Sequence, residues 1–449
     1  MHKFFQTLLW VCICTMFLVQ TNAQKNNYDT ARLFTVLELQ QDFRFLHTKL
    51  EQVHPNLYLY TPKELFDHYF DSLYQTIDHP MQETAFYNTI CLLHANLKDG
   101  HTMFLPGDAA TNFYRKQGLF FPFGITILNN RLYTTMNWSS DSSITDGSEI
   151  TALNGIGTQT ILHELLKRQI RDGANTTYPL WIVNTYFKEY FSFTYGHPSA
   201  YAISYTTPGI AGLQHKTVSA SSKDSIRYFK QKRYPAAMAD NKGLTLLINQ
   251  QRSTAIITIP SFDNEIIQGV YHQQFKKYAD SFFNTIQSNQ ISDLILDIRN
   301  NQGGDFENGQ YLVSRLLDTP YHYLVSGEAS ALQQPAKNVF TKSLYVLING
   351  GSFSNTGILA ACLKRHNRGI FIGEETGGNK NNISGNALSI RLPNTRINCD
   401  ISTTNYPIQI AERNDAHGTF PDYTITPVIK DILSSTDKAL EKALELISH

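Results

Sequence analysis

The 449-residue chain has no net charge: 38 Lys+Arg stand against 38 Asp+Glu, and only 17% of residues are charged. Runs of like charge are absent too, which argues against the basic footprint of a nucleic-acid-binding protein. Cysteine is scarce. Cys12 and Cys14 fall in an N-terminal apolar stretch, and Cys91, Cys362 and Cys399 are too few for a disulfide framework. Cys91 and Cys362 sit in apolar helical patterns, where free cysteine behaves as a small core residue. A Cys362–Cys399 pairing stays open from sequence. No Cys/His spacing matches a zinc site, and neither glycine-rich turn carries the Lys-Ser/Thr pair of a phosphate-binding loop. The composition therefore implies no cofactor and no metal. After the N-terminus no apolar run approaches the ~20 residues of a membrane span. At 42% hydrophobic and 12% aromatic, the chain is too apolar for a disordered protein.

The N-terminus carries a leader pattern. Lys3 precedes an apolar stretch from Leu8 to Val19, broken only by Thr15, and Thr21-Asn22-Ala23 supplies small residues for cleavage. This predicts a signal peptide over 1–23 and export to the periplasm or beyond, with no integral membrane segment after cleavage.

Residues 24–105 read as a helical domain. Leu39, Phe43, Leu46, Leu50 and Val53 recur at helical spacing. Thr61-Pro62 predicts the next helix start, with Thr61 as cap and Pro62 in the first turn. A third helix carries Phe86, Ile90, Leu93 and Leu97 and stops at Lys98-Asp99-Gly100-His101-Thr102. Residues 106–222 change character. Gly124–Leu128 and Arg131–Tyr133 predict a hairpin about Asn129-Asn130. A strand over 147–155, an amphipathic helix through Ile161, Leu165 and Ile170, and a strand over Ala200–Thr206 follow. That order looks like a PDZ-like module. Residues 223–242 are expected to be a linker. From 243 to 449 short apolar runs alternate with helical patterns, which predicts a layered α/β core.

Two glycine-rich turns follow buried strands in that core. Asp297-Ile298-Arg299-Asn300-Asn301-Gln302-Gly303-Gly304 lets backbone amides approach a ligand closely. Asn349-Gly350-Gly351-Ser352-Phe353-Ser354 leads straight into a helix, whose N-terminal amides are free donors. A serine there is placed as a nucleophile, or simply as a cap. The pattern is not the Gly-x-Ser-x-Gly elbow.

Six short motifs occur in order. They are Asp99-Gly100-His101-Thr102, Pro260-Ser261-Phe262, the Asp297–Gly304 turn, the Ser352–Gly357 turn, Gly373-Glu374-Glu375-Thr376-Gly377-Gly378 and Gly418-Thr419-Phe420-Pro421-Asp422. Together they resemble the tail-specific protease (C-terminal processing peptidase) superfamily of serine peptidases. The resemblance implies an α+β multidomain chain: a helical N-terminal domain, a PDZ-like module and a crotonase-like catalytic core. One branch of the superfamily pairs its serine with a lysine, but here Asn379 occupies that position and Lys380 comes one residue late. The Gly357 three residues after the serine also departs from the glutamate common in that branch. The chain is more similar to the tricorn-core-like branch, which uses histidine.

The resemblance implies Ser354 as nucleophile, His101 as base, and Asp415 as the acid that orients it, with Glu412 as rival. Gly303, Gly304 and Asn355 become candidates for the oxyanion hole. Histidine suits the task, because it titrates near neutral pH without perturbation. The implied substrate is a peptide or unfolded polypeptide. A catalytically weak or inactive peptide-binding protein using the PDZ-like module and a crotonase-fold acyl-transfer enzyme are the alternatives; the leader speaks against the second.

Overall fold

The computed structural model describes residues 28–238, 242–327, 329–409 and 415–447. The signal-peptide expectation and Glu412 lie outside the described residues.

The first unit is helical. Thr35 caps the helix Val36–Val53 in a capping box with Glu38, and Leu39, Phe43, Leu46 and Leu50 form its buried stripe. The next helix, Lys63–Gln75, starts one residue later than the sequence predicts. Pro62 sits at the cap, no side chain caps the helix, and the buried Thr61 hydroxyl has no hydrogen-bond partner among the described residues. The third predicted helix is broken into Glu83–Cys91 and His94–Leu97, and it ends as Lys98 turns left-handed at φ 51°. This unit is completed from the far end of the chain. Met103–Leu105 pairs antiparallel with 398–400, and Leu392, Ile397, Cys399 and Ile401 join the helices' core. Asp42 is fully buried within it. Its carboxylate accepts the Asn394 and Thr395 amides at 2.9 and 2.8 Å and the Thr395 hydroxyl at 2.6 Å.

The second unit is an antiparallel sheet in the order Phe123–Leu128, Arg131–Asn137, Glu149–Leu153, Ala200–Thr206, Gln214–Ser219. Asn129 and Asn130 both take positive φ (51° and 58°), as a two-residue hairpin requires. The helices Thr158–Leu166 and Thr177–Tyr195 contribute to its core. The second is kinked at Tyr186. Much of the expected linker is helix: Ser222 caps Lys223–Arg233, and a short 3₁₀ turn, Pro235–Met238, follows.

The third unit holds a six-stranded sheet in the order Tyr423–Thr424, Ile370–Gly373, Ser343–Ile348, Asp293–Asp297, Thr254–Thr258, Thr245–Asn249. All neighbours are parallel except the last pair. Both faces are covered. Leu294, Leu296, Leu344 and Val346 pack with the helices Phe275–Ser288, Phe306–Ser314 and Asn355–Arg365. Ile295, Tyr345 and Leu347 pack on the other side against Ala439 and Ala443 of the helix Lys438–Ile447. Burial on both faces explains why these strands read as unbroken apolar runs. The cysteines at 91, 362 and 399 are all free and buried.

Candidate active site

Adjacent parallel strands Asp293–Asp297 and Ser343–Ile348 end side by side, and the two glycine-rich turns leave from those ends. Side-chain amides stitch the turns together. Asn349 accepts the Asn300 and Gly351 amides at 2.9 and 3.1 Å, and Gln302 donates to the Gly351 carbonyl at 2.7 Å. Ser352 is structural: its buried hydroxyl donates to the Ile298 carbonyl at 2.9 Å and accepts the Asn349 amide.

Ser354 stands at φ 52°, ψ −125°, outside the conformations a serine adopts cheaply, and directly before the helix Asn355–Arg365. It caps nothing with its side chain. Instead its Oγ lies 3.0 Å from His101 Nε2, across 253 positions of sequence. The cap and nucleophile readings separate on this geometry, because a capping hydroxyl points at its own helix's amides.

His101 is delivered by the turn that ends the first helical unit, where its amide donates to Asp99 Oδ1 at 2.9 Å. Its ring stacks on Phe353 at 4.6 Å, and Phe353 stacks on Tyr178 at 4.0 Å. Burial lowers the His101 pKa below its ordinary value, opposed by the charge of Asp99. Nδ1 is buried and has no hydrogen-bond partner among the described residues.

The structure does not bring Asp415 to this ring. Its carboxylate pairs with Lys380 Nζ at 2.6 Å, and it accepts the His417 amide at 3.2 Å. An ammonium in the same surface loop region holds it there, and the pair lowers its pKa against the opposing effect of burial. Lys380 is thereby committed as well. Asn379, at the lysine position of the other branch, is fully buried; its amide donates to Asp172 Oδ2 at 3.2 Å and its side chain to Tyr60 at 2.8 Å.

Of the oxyanion-hole candidates, Gly303 is a correction. Its N–H is taken at 2.9 Å by Asn301 Oδ1, two residues earlier. The position needs glycine for another reason: at φ 93° a Cβ would stand 2.7 Å from the Asn355 nitrogen and 2.8 Å from Ser354 Cβ. The Gly304 and Asn355 amides donate to no group among the described residues. Asn355 is itself fixed, accepting from Tyr323 at 2.6 Å and donating to the Asp305 carbonyl at 2.7 Å.

Sequence reasoning missed two buried acids beside His101. Asp99 accepts from His54 Nε2 at 2.6 Å, Thr102 at 2.8 Å and Ser384. Burial opposes its charge, but the His54 contact, His101 and Ser384 hold it well below the usual carboxylate range. Asp172 comes from the second unit. Burial, then the charge of Asp99, pushes its carboxyl up to about 7, against hydrogen bonds from the Gly100 and Asn379 amides. One ring nitrogen of His101 and one oxygen from each acid lie within 4.8 Å of one another. Such a trio has the donor types of a cation site, but both oxygens of Asp99 are already hydrogen-bonded. Asp99 was visible inside a motif; Asp172, in Arg171-Asp172-Gly173, carries no local signal.

Comparison with known proteins finds relatives of one segment of the chain and of its fold. Residues 253–425 match Peptidase family S41. The C-terminal processing peptidase, chloroplastic, of Tetradesmus obliquus is 32% identical over 104 residues, 22% of this chain and 22% of that protein. The chain thus matches about a fifth of that relative's length. The crystal structure of mature CPAF is similar with a TM-score of 0.62 at 16% identity, covering 92% of this chain and 96% of that one. A putative peptidase from Parabacteroides merdae gives 0.50 at 14% identity, covering 92% and 97%. At such identities the likeness concerns the fold. The family match is confined to residues 253–425, and over that segment the resemblance to tail-specific proteases drawn from the ordered motifs is borne out. The matched segment contains Gly303, Gly304 and Ser354; His101 lies outside it.

Proposed function

We propose that the chain is a serine endopeptidase of the Ser-His kind. One observation carries the reading: a serine held at positive φ before a helix, its hydroxyl 3.0 Å from a buried imidazole. Neutral His101 takes the Ser354 proton on Nε2 as Oγ attacks the peptide carbonyl. The oxyanion forms toward the Gly304 and Asn355 amides, whose orientation is set before substrate arrives. His101 then gives its proton to the leaving amine, and water releases the acyl group by the same steps in reverse.

The substrate class is an extended or unfolded polypeptide, met outside the cytoplasm after removal of residues 1–23. The second unit is read as PDZ-like and the third as crotonase-like; the hairpin-helix-strand order and the parallel sheet with helices on both faces support this. The test is reaction with a fluorophosphonate probe, followed by a labelled-peptide cleavage screen. Labelling at Ser354, abolished in Ser354→Ala, is expected. A folded chain that cuts no peptide and leaves Ser354 unlabelled would falsify the reading in favour of a peptide-binding protein.

A further inference from the structure

Among the described residues Asp415 is held by Lys380 rather than by the His101 ring, and Glu412 lies outside them. Two carboxylates approach the ring within 4.8 Å, Asp99 and Asp172. Asp99 already serves His54, Thr102, Ser384 and the His101 amide. Asp172 is only 3% exposed and accepts two backbone amides, Gly100 at 2.7 Å and Asn379 at 3.2 Å, with no side-chain cation bonded to it among the described residues.

We propose that Asp172 is the positioning carboxylate of His101. It fixes the residue before the base through the Gly100 amide, and its charge balances the imidazolium formed when Ser354 loses its proton. The inference rests on the Ser-His reading above. Asp172 itself neither takes nor gives a proton in the reaction; His101 keeps its Nδ1 proton throughout. A tie across 72 positions to Gly100 and 207 to Asn379 makes the second unit part of the site rather than an appendage.

The titratable groups facing Asp172 are Asp99 and His101 from the first unit and Tyr178 from the adjoining helix. The third unit contributes the neutral Asn379 amide. Because the Asp172 carboxyl is pushed up to about 7, it gains its charge as pH rises through neutrality. The limb of activity against pH then belongs to the Asp172–His101 pair. Asp172→Asn keeps an acceptor for Gly100 but removes the charge, so the limb should move down toward the lowered pKa of His101 alone. Stability separates this from a structural role. A carboxyl raised on folding favours the fold below its unfolded pKa, and that contribution is lost as pH rises through about 7. At pH 8, Asp172→Asn should therefore be no less stable than the native chain.

The experiment measures the rate of fluorophosphonate labelling at Ser354 against pH, with thermal unfolding alongside, for the native chain, Asp172→Asn and Asp172→Glu. The expected result is a plateau lowered about 10–100-fold in Asp172→Asn, with its limb at lower pH, while Asp172→Glu keeps the native limb. Native rate and limb in Asp172→Asn overturn the inference, as does loss of labelling in both variants only in step with loss of folded protein. A native chain that does not label overturns the Ser-His reading, and this inference with it. A native chain that labels beside an unaffected Asp172→Asn overturns this inference alone.

Discussion

Two turns leave neighbouring strands and meet at the site, and they reach unusual backbone angles by opposite routes. In the turn over 298–304 positive φ falls on Asn300, Gly303 and Gly304, residue types that accept it. In the turn over 349–354 it falls on Ser354, while Gly350 and Gly351 keep ordinary angles. Those glycines serve close approach instead: a Cβ on Gly350 would meet the Thr177 carbonyl at 2.3 Å, and one on Gly351 the Trp181 indole nitrogen at 2.4 Å. The first turn therefore presents backbone amides, and glycine suffices. The second must present a hydroxyl, so strain of order 1–3 kcal/mol sits on the one residue that cannot be glycine.

The largest effect that would test this contrast is at Ser354. Ser354→Ala is expected to lower kcat by about 10⁶, as removal of a triad nucleophile does. Ser354→Gly should be equally inactive yet more stable than Ser354→Ala by about 1 kcal/mol, because glycine takes φ 52° without strain. Equal thermal stability of the two variants would remove the strain argument. Next comes the glycine turn. A Cβ at Gly304 would lie 2.2 Å from the Asp263 nitrogen, so Gly304→Ala should abolish cleavage and lower the melting temperature. Gly303→Ala presses on the nucleophile's own backbone and should cost activity more than stability; a native kcat there would contradict the packing. The smallest effects belong outside both turns. Lys380→Ala and Asp415→Asn break a half-exposed pair and should keep most activity, with stability changed by about 0–1 kcal/mol. An inactive Lys380→Ala with an active His101→Ala would exchange the base.

What was legible from sequence follows the same division. Ser354 and His101 were legible as candidates because each sits in a short motif, and the fold closes the 253 positions between them to 3.0 Å. The Asn129-Asn130 hairpin was legible because turn chemistry is local. Asp415 was chosen by spacing to Gly418, and spacing is blind to the lysine beside it. Gly303 failed because a nearby asparagine claims its amide, a side-chain direction no pattern encodes. The helix Thr177–Tyr195 escaped notice because it buries Tyr178, Ile182 and Val183 before its kink and Phe187 and Phe191 after it, which smears the helical period. Asp172 was invisible because its partners lie in two other units.

The burial of Asp42 has a consequence in time. Its carboxylate is matched by amides that stand 352 positions later in the chain. At ribosomal speeds that interval is on the order of tens of seconds. Until then the Asp42 carboxylate lacks the Asn394 and Thr395 donors, and the strand Met103–Leu105 lacks its partner strand. The histidine arrives early and the serine late, and the segment that completes the histidine's unit is synthesised after both. On the proposed function, a nascent chain therefore stays inert until residues 394–401 have been made and have joined the first unit, which limits cutting of its own unfolded siblings on the ribosome.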